Sequence, residues 1–158
     1  MTDQKECCPK FNPEPWDEKT ITWNDKPFIK DTVTCFMHVP INMGAVIKRM
    51  YSKIQGTAAE IEPKDFMILS HDISNWKSDQ YIAVAEEVGG AENVKLSGTY
   101  LTKVFEGPYK EARNWCAEME KYVKSQGKEI KNLYFYYTTC PKCAKKWGKN
   151  YVVAIAQI

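Results

Sequence analysis

The chain lacks several features that would settle its class at once. No apolar stretch approaches the ~20 residues of a membrane-spanning helix. The start, Met1-Thr-Asp-Gln-Lys-Glu6, is polar and runs into Cys7-Cys8-Pro9, without the apolar core of a secretory leader. Charge of one sign is scarce: 22 basic residues against 20 acidic leave a net +2, so nucleic acid is not an expected partner. A DNA-reading helix-turn-helix is excluded from the first 28 residues, which hold Pro9, Pro13, Pro15 and Pro27. The expectation is a cytoplasmic protein without a membrane partner. There, six cysteines are reduced thiols, metal ligands or redox sites rather than a disulfide framework.

What is present is a globular composition. The 158 residues are 44% hydrophobic and 27% charged, which fits one domain or two small halves sharing a core. Aromatics reach 13%, with five Trp and nine Tyr, enough to line a binding surface or to fill a dense core.

The chain reads as two copies of one unit, offset by about 68 residues from Pro40 to Pro108. Each copy opens with an alternating run, beginning at Thr32 and at Tyr100. A proline and a helical stripe follow in both. The stripes are Met43, Val46, Ile47, Met50, Tyr51, Ile54 and Tyr109, Ala112, Trp115, Cys116, Met119, Tyr122, Val123. Gly56 and Gly127 stand just past them, where C-terminal caps favour glycine. Two strand patterns complete each copy: 66–70 with 80–85, and 133–138 with 151–156. The predicted fold is α+β: tandem β-α-β-β repeats with pseudo-twofold symmetry, two helices packed on one sheet, and a central cleft. The predicted layout is a proline-rich arm over 1–27 and one domain over 28–158, with repeats 28–88 and 95–158.

Gly98-Thr-Tyr100, then Phe105-Glu-Gly-Pro-Tyr109, the helix through Trp115 and Met119 and the strands at 133–138 and 151–158 resemble the GyrI-like small-molecule-binding family. That resemblance implies the stand-alone form, binding amphipathic or aromatic, often cationic, small molecules. Some stand-alone members are hydrolases of strained, cyclopropane-bearing compounds. One departure stands out. The family often carries a glutamate near the chain end facing the cleft, and here the terminal strand Tyr-Val-Val-Ala-Ile-Ala-Gln-Ile holds no acid.

The residues suggest their own chemistry. Glu106, just before Gly107-Pro108-Tyr109, is a candidate base on water or an anchor for a cation above rings; the plain alternative is a solvated acid near a helix N-terminus. Tyr136 is the candidate stabiliser of a leaving group. His38 matches Glu106 in the first copy and completes a candidate acid/base pair, or is a structural histidine. Asp79 and Tyr81 share strand parity behind Trp76 and present an acid and a phenol beside an indole, or a core ring and a rim acid. Tyr134 and Tyr136 take one face of their strand, Phe135 and Tyr137 the other. Phe36, Tyr109 and Trp147 complete the expected ligand surface. His71, in a loop next to Asp72, carries little weight by itself.

Cys140-Pro-Lys-Cys143 has half the spacing of a four-thiolate zinc site, with Cys7 and Cys8 as the other half; a redox dithiol and unliganded thiols are the alternatives. Cys35 and Cys116 read as buried small hydrophobes. Lys142, Lys145, Lys146 and Lys149 read as a solvated turn.

The expected function is binding of an aromatic or cationic small molecule, by a monomer or homodimer, with a structural zinc and no organic cofactor. The alternatives are a hydrolase of reactive small molecules and an interaction module around a zinc-stapled tail.

Overall fold

A computed structural model describes residues 13–37, 39–61, 67–74, 76–107, 111–137 and 151–158. Its elements are β1 (Lys19–Phe36), β2 (Val39–Pro40), α1 (Met43–Ile54), β3 (Ile68–Asp72), β4 (Lys77–Ala83), β5 (Glu92–Glu106), α2 (Ala112–Ser125), β6 (Asn132–Tyr137) and β7 (Tyr151–Gln157). The strand order is β2-β1-β4-β3-β6-β7-β5, and β5 also pairs with β1. That extra pairing closes six strands into an antiparallel barrel, with β2 a short flap on the end of β1.

The predicted sheet with both helices on one face and a central cleft is therefore corrected. No gap separates the halves, because β1 and β5 are pinned together along Lys19–Lys30 and Glu92–Thr102. Closure satisfies the two sheet edges that an open sheet would expose. The physical cause is strand length. β1 has 18 residues and begins inside the stretch read from sequence as an arm; β5 has 15. Each is long enough to pair with two neighbours. The first part of β1 pairs with β5 and its second part, from Phe28, with β4. A bulge between Trp23 and Lys26, with Asp25 at φ 51°, shifts the register within the β1–β5 seam. Exchanging the halves leaves the pairing scheme unchanged: β1–β4 maps on β5–β7, β4–β3 on β7–β6, and the seams β1–β5 and β3–β6 on themselves.

Strand alternation sorts residues inside and outside. The outer wall carries two apolar clusters, one under each helix. Val46, Met50 and Ile54 of α1 pack on Ile29, Val33 and Ile82. Trp115, Met119 and Val123 of α2 pack on Leu101, Phe105, Val152 and Ala154. The spacing of four in each triplet produces one stripe per helix. α2 ends in a Schellman cap: Gly127, at φ 73°, donates to the Lys124 carbonyl and Lys128 to that of Val123. The barrel interior is a third cluster, built on Phe28, Leu69, Tyr81, Tyr100, Tyr134, Val153 and Ile155. Its rings meet one another edge-on, Phe28 with Tyr81 and Tyr81 with Tyr134. The expected ring-lined cleft is thus a filled core, and a site has to lie where that core meets solvent.

Candidate functional site

One end of the interior turns polar. On β1, Lys30 and Thr32 share the inward parity of Phe28. On β4, Asp79 shares that of Tyr81, and on β3, His71 shares that of Leu69. Register then assembles a row across the wall. Asp79 is the direct partner of Thr32 on one side and of His71 on the other. The next side chain, on β6, is Tyr134, whose ring lies 5.0 Å from that of His71 between centroids. One step along the barrel axis, Lys30 is the partner of Tyr81 and of Glu92 on β5.

Asp79 is the electrostatic centre of this row. Its side chain is only 6% exposed, yet it is an ion-pair partner: the Lys30 ammonium lies 3.3 Å from Oδ2. The Thr32 hydroxyl donates to Oδ1 at 2.9 Å. A buried carboxylate without such partners would be costly. Lys30 itself is 27% exposed, so the pair stands where the interior meets solvent.

Three neighbours respond to this environment. Burial pulls the half-buried His71 imidazole below its ordinary 6.5; Asp79 and Asp72 oppose this and Lys30 assists it. Burial, with Tyr134, Asp79 and Glu92, pushes the Tyr81 phenol far above its ordinary 10. Burial and then Asp79 push Tyr134 up as well. At neutral pH the row therefore offers a neutral imidazole as proton acceptor, a buried carboxylate behind it and a phenol that keeps its proton as donor.

Beyond the row, the same strand ends carry exposed apolar side chains. Phe36 ends β1 and Met37 follows it, and Ile73 and Trp76 sit in the β3–β4 turn. Phe36 and Trp76, 59% and 54% exposed, touch edge-on at 5.6 Å between centroids. The Cys35 N–H donates to the Trp76 carbonyl at 2.7 Å and fixes the two turns together. An apolar rim thus stands beyond the polar row on the same strands.

Of the residues singled out from sequence, the fold brings Asp79, Tyr81 and Tyr134 together and sets Phe36 and Trp76 on the rim. Tyr136 is half-buried on the inner face, with Trp16 edge-on at 5.7 Å. Glu106 is exposed at the end of β5, opposite Tyr151. His38, Tyr109, Trp147, Cys7, Cys8, Cys140 and Cys143 lie outside the described residues. Among the described residues, no cluster of three or more His, Cys, Asp or Glu is placed to hold a metal. Cys35 and Cys116 lie in separate clusters, with burial raising both thiols. Also among the described residues, no helix is long and apolar enough to cross a membrane. Sequence reasoning missed Lys30 and Thr32 and discounted His71. The available signal was parity: Phe28, Lys30 and Thr32 alternate on one face, as do Leu69 and His71.

A family described as Bacterial hydrolase matches residues 1–158. No curated protein matches the chain. Among solved structures, an uncharacterized conserved protein from Listeria innocua is 11% identical with a TM-score of 0.62, covering 87% of this chain and 90% of its own. A hydrolase from the same organism is 11% identical with a TM-score of 0.59, covering 90% and 92%. At that identity the likeness is one of fold.

Proposed function

The chain belongs to the bacterial hydrolase family, and on that premise we propose that it hydrolyses an amphipathic small molecule at the polar end of its barrel. The observation that carries this reading is the register pairing of His71 with the buried Asp79 beside the apolar rim. The apolar part of the substrate rests on Phe36 and Trp76. Its electrophilic atom faces the row. Neutral His71 takes a proton from water as the water oxygen bonds to that atom. The Asp79 carboxylate stabilises the imidazolium that results. The Tyr134 hydroxyl donates a hydrogen bond to the oxygen that gains charge. As the bond to the leaving group breaks, the imidazolium returns the proton to it. The resemblance to the GyrI-like family makes a strained-ring electrophile one substrate to try beside activated esters.

The exposed ring pair also favours a second reading, in which the rim binds amphipathic aromatics without turnover. One experiment separates the two. Wild type, His71→Asn and Asp79→Asn are given a panel of activated esters and strained-ring electrophiles, with tryptophan fluorescence reporting binding. The hydrolytic reading expects turnover by wild type and a loss of about 10²-fold or more in both variants, with binding retained. Binding without turnover by wild type leaves only the second reading.

A further inference from the structure

Asp79 is held from one side. Thr32 engages Oδ1 at 2.9 Å and Lys30 engages Oδ2 at 3.3 Å, and both partners come from β1. His71 faces the same carboxylate from β3, in direct register, and is coupled to it through space. The two charges on either side of Asp79 therefore compete for it: the Lys30 ammonium, and the proton that His71 takes up and releases.

We propose that Lys30 is a positioning residue of this site: it turns the buried carboxylate toward β1 and so sets how strongly Asp79 supports a proton on His71. This deepens the hydrolytic reading and rests on it for its catalytic meaning. The groups facing His71 are Asp79 from β4, Lys30 from β1, Asp72 from its own strand and the Tyr134 ring from β6. The two aspartates favour the imidazolium, while Lys30 and burial disfavour it. Asp79 is only 6% exposed, so its interactions with both cations are weakly screened. With Lys30 in place the carboxylate's field is partly neutralised, and His71 stays an acceptor. Without it, Asp79 carries an uncompensated charge and is free to turn toward β3, which strengthens its hold on a proton at His71.

The test is an NMR titration of the His71 ring protons, which needs no turnover. It uses wild type, Lys30→Met and Lys30→Arg, each with Asp79 intact and with Asp79→Asn. With Asp79 intact, Lys30→Met raises the His71 midpoint by roughly 0.5–1 pH unit. Lys30→Arg, which keeps the charge, stays within about 0.2 unit of wild type. In the Asp79→Asn background the Lys30→Met shift falls to less than about half its size, because the group through which Lys30 acts has lost its charge. Equal shifts in the two backgrounds overturn the proposal, since Lys30 then acts on His71 as a bare charge. An unmoved midpoint overturns it too. Should Lys30→Met not fold, Lys30→Gln, which keeps a donor without the charge, gives the same readout. A wild type that hydrolyses nothing, with the titrations as stated, ends the hydrolytic reading and leaves this one standing. Turnover as proposed, with equal shifts in both backgrounds, does the reverse.

Discussion

Thr32 and Asp79 are direct partners across β1 and β4, and the threonine hydroxyl donates to the aspartate's Oδ1 at 2.9 Å. The carboxylate thereby keeps a hydrogen bond inside the wall, beside the Lys30 ammonium. The consequences of this arrangement can be measured.

Removing Lys30 costs more stability than removing the charge of Asp79. Lys30→Met strands a buried carboxylate, for which a loss of about 2–4 kcal/mol is expected. Asp79→Asn leaves an ammonium that can reach water and an amide that still accepts from Thr32, for about 1 kcal/mol. Urea unfolding of the two variants gives the order; the reverse order would show that Asp79 finds its own solvent.

Stability depends on pH through His71. The folded protein holds this imidazole below its ordinary 6.5, so between those two values the unfolded chain binds a proton that the folded one refuses. The contribution is full above pH 6.5 and falls as the pH drops through the window below it. The urea midpoint of wild type is expected to decline as the pH falls below about 6.5, and His71→Asn to flatten that decline. Parallel profiles in the two proteins would place the proton elsewhere.

The inner phenols oppose alkali. Tyr81, Tyr100 and Tyr134 are each raised by burial above the ordinary 10. Above pH 10 the unfolded chain releases protons that the folded one keeps, so stability falls as the pH rises. Tyrosinate absorbance should appear in two stages, exposed rings first and these three only with unfolding. Tyr134→Phe should remove one ring from the late stage. A single smooth titration of all nine tyrosines in the folded protein contradicts the filled interior.

The rim and the interior differ in what a truncated ring does. Phe28 is fully buried against Trp23 and Tyr81, and Phe28→Ala should cost about 3–5 kcal/mol. Phe36 and Trp76 are mostly exposed, so Phe36→Ala and Trp76→Ala should each stay within about 1 kcal/mol of wild type. On an amphipathic substrate those two changes should raise KM roughly tenfold and leave kcat alone. A fall in kcat with KM unchanged would move the substrate away from the rim.

Helix positions were legible from periodicity. The stripe from Met43 to Ile54 is α1 itself, and Trp115, Met119 and Val123 are the buried line of α2. The last strand was equally plain, since its Val152–Ala156 is a continuous apolar run buried on both faces. Barrel closure was harder to see. It depends on the first halves of β1 and β5, where Ile21 and Trp23 alternate with threonines and Val94 and Leu96 with polar residues. Reading those strands from Thr32 and Tyr100 leaves each with one partner and the sheet open. The proline-marked junction drew the sequence reading to Glu106, which the fold leaves exposed at a strand end.

By itself, the sequence determined the periodicity of each segment, the glycine caps, and a supply of rings larger than two helix stripes can use. It also set the parity by which Asp79 and Tyr81 share a face, because alternation is a local property of an extended chain. Only the tertiary structure decided that these rings fill a closed barrel, and that Lys30, Thr32, His71, Asp79 and Tyr134 meet at its end. They come from four strands spread from β1 to β6, and their meeting rests on register. Register is set by the pairing of distant segments and by one bulge in β1, and no local pattern encodes either.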